Sequence, residues 1–243
     1  MVFAAAHAEA YPILQLDIIG GHYDPTTQTI VSGGPDFTLV AVLTPKNNTS
    51  AATLSSILND TYYISAAVTP QTGPTDVSLG SFSWNSNNFL VTEDMIYGTP
   101  PLENLDAHAD PGDLAPHGVF PTFFQEFSFQ FAPTNRTVTY DSSVHPSGLN
   151  PTTSTSNVSY FATFNLTTSL IGTNEIHFDL YNSLIQKCRN QPSCAYDEDI
   201  AWFAPFSHDA ESSHRVSEPQ SMAMMSVGLF LAGAALRRRQ TKA

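Results

Sequence analysis

The sequence predicts an all-β domain, an antiparallel β-sandwich of jelly-roll or Ig-like kind, followed by a single hydrophobic helix at the C-terminus. Three observations predict it. Apolar and polar residues alternate with a period of two in several short runs. Those runs are bounded by Gly, Pro and Asn clusters, and helical periodicity is confined to Ala51–Leu58 and the tail. At 243 residues the chain is long enough for one sizeable core, and all-β units of this length commonly form one domain.

The runs follow in order. LQLDII (residues 14–19) and FTLVAVL (37–43) come first, then YYISAAV (62–68). FSFQF (127–131) places Phe127, Phe129 and Phe131 on one face, and TVTY (137–140), YFATFNL (160–166) and IHFDLY (176–181) complete the set. Turn signals punctuate them at Gly20-Gly21, Gly33-Gly34-Pro35, Gly73-Pro74 and Pro146-Ser147-Gly148. Many short strands with turn-rich connections argue for a sandwich. The stretch 93–121 differs: it holds five prolines and little periodicity, which marks a functional or irregularly packed segment.

Charge excludes one class of partner. Only 13% of residues are charged, against roughly 25% in ordinary soluble domains. The formal net charge is -13, and four of the nine positive residues (Arg237, Arg238, Arg239 and Lys242) lie in the last seven positions. The remaining body carries five positive charges against 22 acidic residues, so it repels phosphate backbones and nucleic acid is not expected as a partner.

The tail explains its own charge. Ser221–Leu236 carries no charged residue, and as a helix it would span ~24 Å, a short membrane crossing helped by local thinning and snorkelling Arg side chains. Arg237–Arg239 would then stay on the cytoplasmic side and the body outside. At the other end MVFAAAHAEA has small-x-small sites at Ala6-His7-Ala8 and Ala8-Glu9-Ala10 but only a brief apolar run, and is read as a truncated signal peptide, with an ordinary Ala-rich leader as the alternative. Cys188 and Cys194 are expected to form a small-loop disulfide in an oxidising compartment, with half of a zinc site as the alternative.

Two resemblances add to this reading. Val216-Ser217-Glu218-Pro219, a short apolar segment and a terminal Arg cluster together resemble the PEP-CTERM sorting signal of Gram-negative bacteria, with Ser217 where the first Pro usually sits. That resemblance implies processing near Glu218-Pro219 by an exosortase, with Arg237, Arg238 and Arg239 holding the precursor at the inner membrane. The blocks LQLDIIGGHYDPTTQTIVSGGPDFTLVAVL, PHGVFPTFFQEFSFQF, IHFDLYN and FAPFSHDAES resemble the choice-of-anchor N family, over most of residues 11–214. This second resemblance implies domain extent and localisation rather than a reaction.

The expected organisation is a residual signal peptide over 1–10, a β-sandwich over 11–206, a polar linker over 207–217 and the sorting signal over 218–243, with its helix at 222–236. The expected function is that of an exported cell-surface or matrix protein, structural or binding, linked to exopolysaccharide and not an enzyme.

Candidate chemistry is confined to two places. DAHADPGD sets Asp106, His108, Asp110 and Asp113 around Gly112, a layout similar to a calcium loop but without the bidentate Glu of an EF-hand. Its bland alternative is a solvated acidic loop, and its functional form is a calcium-stabilised adhesion module, with calcium as the one candidate cofactor. In IHFDLY, Ile176, Phe178 and Leu180 share one strand face while His177 and Asp179 share the other, where they either take a ligand or hydrogen-bond on a wet surface. His208 and Asp209 follow in FSHDAES, and convergence of His177, Asp179, His208 and Asp209 would support a cation-dependent polysaccharide hydrolase. G-x-S-x-G, H-E-x-x-H and P-loop motifs are absent. Trp84, Trp202 and Phe203 are read as core in preference to sugar-stacking platforms.

Overall fold

The structure is a computed structural model and describes residues 14–25, 27, 29–46, 49–102, 121–140, 158–183, 204 and 209–212. The strands are β1 (Leu14–Ile18), β2 (His22–Asp24), β3 (Thr29–Val31), β4 (Asp36–Leu43), β5 (Tyr62–Thr69), β6 (Gly80–Trp84) and β7 (Asn87–Leu90). They continue with β8 (Ile96–Gly98), β9 (Thr122–Phe129), β10 (Arg136–Val138), β11 (Val158–Leu170), β12 (Glu175–Asn182) and β13 (Asp209–Glu211). Helix α1 (Ala51–Leu58) joins β4 to β5, and the single turn α2 (Val91–Asp94) follows β7.

Two sheets result, as the alternation predicts. The first runs β1-β4-β11-β6-β7, with β10 also on β11; the second runs β2-β3-β13-β12-β5-β9-β8. Strand β11 is 13 residues long because it serves three partners: β4 along one edge, and β10 and then β6 along the other. All pairings are antiparallel except β13 with β3, which is parallel, so the second sheet is mixed where a purely antiparallel one was expected.

The apolar faces meet between the sheets. Leu14, Leu16 and Ile18 of β1, Leu39, Ala41 and Leu43 of β4, and Ile176, Phe178 and Leu180 of β12 alternate into one core, as period-two patterning requires. Aromatic rings bridge the layers. Trp84 lies flat on Phe127, centroids 4.1 Å apart, and against Phe164 at 4.7 Å, while Phe164 meets Phe129 edge-on at 5.1 Å. Trp84 is thus a core residue, as its sequence context suggested. Helix α1 is capped by Ser50, whose hydroxyl accepts from the Thr53 amide at 3.1 Å, and its Leu54, Ile57 and Leu58 pack on the core edge.

Two segments depart from expectation. Within 93–121, Ile96–Gly98 pairs with β9 as an edge strand that three residues of sequence are too few to reveal. Asp209–Glu211, expected in the polar linker, is a buried strand inside the second sheet, so the sandwich extends past residue 206 to at least Ser212. The strand carries one apolar residue, Ala210, and hence no hydrophobic signal. Cys188, Cys194, the 1–10 leader, Trp202, Phe203 and the 222–236 segment lie outside the described residues. Among the described residues no helix is long and apolar enough to cross a membrane.

Two substitutions test this architecture. Trp84→Ala removes the ring that joins both sheets and should cost about 3–5 kcal/mol by urea unfolding. In the β6–β7 hairpin Asn85 and Ser86 have φ of 47° and 71°. Such a two-residue turn favours Asn-Gly, so Ser86→Gly should stabilise the chain by about 1 kcal/mol in the same assay.

Candidate functional site

Strand β12 is buried on both faces. Its inward residues fill the core, and its opposite face presents His177, Asp179 and Tyr181, of which His177 is 8% exposed and the other two 0%. The wet sheet face considered for His177 and Asp179 is therefore a dry one. The register sets their neighbours: β5 brings Ala67 opposite His177 and Ser65 opposite Asp179, while β13 brings Glu211 opposite His177. Period-two geometry then puts Asp209, two residues before Glu211, on this same face.

Strand β13 is held there from several sides. The Ser212 amide donates to the Ile176 carbonyl at 2.8 Å, the Ile176 amide to the Ser212 hydroxyl at 2.7 Å, and the Ser32 amide to the Glu211 carbonyl at 2.9 Å. The Thr69 hydroxyl donates to Glu211 Oε1 at 2.9 Å.

His177, Asp179 and Asp209 consequently converge, with one ligand-type atom from each lying within 4.8 Å of the others. His177 Nε2 is 3.2 Å from Asp179 Oδ1 and 3.7 Å from Asp209 Oδ2. The second oxygen of Asp179 accepts the Ser65 hydroxyl at 3.0 Å. Burial by itself would lower the pKa of His177. The charge of Asp179, its hydrogen bond to the ring, and the charge of Asp209 3.7 Å away outweigh it and hold the imidazole well above its ordinary range. The direction of that shift favours the charged form of the ring beside the two carboxylates.

The row continues along the same face. Tyr181 stacks on Tyr63 with centroids 5.9 Å apart, and its hydroxyl donates to Glu126 Oε1 at 2.5 Å. On the outer face of the first sheet a comparable group was not singled out from sequence: Asp17 accepts from the Tyr140 hydroxyl and, at 2.6 Å, from the Ile18 amide, while Gln15 Nε2 donates to the Tyr140 carbonyl at 2.8 Å. The alternation in LQLDI places Gln15 and Asp17 on one side, yet nothing in it signals that this side is covered. Among the described residues a cleft of about 550 Å³ lies beside α1, lined by Leu54, Leu58, Phe131, Arg136 and Tyr160 among others. Arg136 stands over the Tyr160 ring there, 5.8 Å from its centroid.

Three of the four residues named for a catalytic cluster thus come together. His208, the fourth, lies outside the described residues, as do Asp106, His108, Asp110 and Asp113 of the calcium-loop candidate and Ser217, Glu218, Pro219, Arg237, Arg238 and Arg239 of the sorting signal. No family model, curated protein or solved structure matches this chain.

The electrostatics predict a pH signature in the chelator-treated protein. A raised folded pKa contributes stability that is complete below the unfolded value of about 6.5 and is lost as pH rises through the folded value. The urea midpoint should fall over that interval, with Asp179, Asp209 and Glu211 as the facing acids, and His177→Gln should remove most of the slope. Identical pH profiles for the two proteins would show that the folded chain does not hold this proton.

Proposed function

We propose that the chain is an exported cell-surface or matrix protein of a Gram-negative bacterium, sorted and processed by an exosortase, whose β-sandwich has a structural or binding role linked to exopolysaccharide. The observation that carries this reading is the order of its C-terminal segment: Glu218-Pro219, an uncharged run to Leu236, then Arg237-Arg238-Arg239. In this reading residues 222–236 form the helix that tethers the precursor to the inner membrane, and the sandwich has jelly-roll or Ig-like connections. The low ionic content and acidic balance of the body suit an extracytoplasmic surface.

Burial favours a non-catalytic role over a hydrolase. His177, Asp179 and Asp209 meet, as a cation-dependent hydrolase would require, but at 8%, 0% and 0% exposure a polysaccharide strand has no contact surface on them. The open cleft beside α1, lined by Leu54, Leu58 and Phe131 with Arg136 over the Tyr160 ring, is better suited to receiving a ligand.

The test is the intact mass of the mature protein and its cell fraction, for the wild-type chain and for the triple variant Arg237→Ser, Arg238→Ser, Arg239→Ser. Wild type is expected at the surface or in the medium, ending near Pro219. The variant should keep a folded body yet accumulate unprocessed. A full-length wild-type chain in the cytoplasm, or normal processing of the variant, would overturn the reading.

A further inference from the structure

The cluster on the outer face of β12 has the chemistry of a coordination site. Its three side chains come from two strands that are adjacent in the sheet but remote in sequence, and its donor set is one imidazole nitrogen and two carboxylates. Tetrahedral zinc with N and O ligands at about 2.0–2.2 Å has ligand-to-ligand edges of ~3.3–3.5 Å. The observed edges from His177 Nε2, 3.2 Å to Asp179 and 3.7 Å to Asp209, bracket that spacing.

Asp179 is divided as a ligand carboxylate is. Oδ2 is fixed by the Ser65 hydroxyl at 3.0 Å, and Oδ1 is turned to the centre. Such outer partners orient the liganding atom and raise its affinity. Charge agrees with a dication, since two carboxylates and a neutral imidazole around M²⁺ are formally neutral, which a buried site favours. An imidazole in the set and the small number of oxygens argue against calcium, which takes six to eight oxygen ligands.

We propose that His177 Nε2, Asp179 Oδ1 and Asp209 Oδ2 form a buried site for a divalent transition-metal ion of the zinc or manganese class, which clamps β13 to β12. The role is structural. Strand β13 is three residues long, pairs with β12 through His177↔Glu211 and Phe178↔Ala210, and connects β2 and β3 to the rest of their sheet. A metal bridging Asp209 to His177 and Asp179 fastens that junction where backbone pairing is shortest.

The experiment takes the full chain, strips it with chelator, and dialyses it separately against Zn²⁺, Mn²⁺ and Ca²⁺. Metal content, calorimetric titration and, for the zinc form, X-ray absorption are then measured. One zinc or manganese per chain is expected, and the zinc first shell should contain imidazole nitrogen and oxygen without sulfur. Asp209→Asn should raise the Kd for the same ion more than tenfold. Ser65→Ala, which keeps all three ligands, should raise it about tenfold with an unchanged circular dichroism spectrum.

Failure to retain zinc or manganese would overturn the proposal and leave a buried ion triad. Sulfur in the zinc shell, or calcium alone bound, would overturn it equally. So would an unaltered Kd in Ser65→Ala, which decides the matter if Asp209→Asn does not fold. None of these outcomes depends on export, so the sorting proposal stands or falls separately.

Discussion

The return of Asp209–Glu211 into the second sheet is the constraint on which much of the molecule depends. This short strand lies between β3, from the beginning of the chain, and β12, and it is the route by which the β2–β3 pair belongs to the sheet. Its parallel pairing with Thr29–Val31 spans some 180 residues of sequence. The loop-closure entropy of such a contact must be met before the contact itself stabilises anything. A strand with two polar acids and one alanine contributes little apolar burial of its own, so its position rests on backbone bonds and on the charges around Asp209.

Both sheets bury polar groups on the sides that face away from the shared core. On the first, Asp17 gathers an amide and a tyrosine hydroxyl; on the second, His177, Asp179 and Asp209 gather one another. A buried carboxylate is tolerable only with hydrogen bonds or countercharge, and each group meets that requirement differently. Asp17 accepts from the Ile18 amide and the Tyr140 hydroxyl. Asp179 and Asp209 flank a side chain that holds either a proton or a metal, so theirs is the cluster whose charge state can change.

Sorting and stability adjoin in the chain. Asp209 stands nine residues before Glu218. In the proposed processing event, β13, the last strand among the described residues, therefore comes to lie close to the new C-terminus. Chain ends fray unless they are tied down, and a clamp at Asp209 would act where a cut is most exposing.

Alternation along the chain was enough to specify the class of fold and most of its long strands. β1, β4, β5, β11 and β12 were legible because a half-buried or fully buried strand repeats its apolar residues every second position, and α1 was legible from its own run at 51–58. It also determined that His177 and Asp179 share a face. Long-range packing settled that this face is buried, which strand lies beside it, and that Asp209, in a stretch with no apolar pattern, completes the cluster. The physical reason is that periodicity reports the side on which a residue points, whereas burial and partnership depend on chain that arrives from far away. A three-residue polar strand such as β13 is a strand only because β3 and β12 supply its hydrogen bonds.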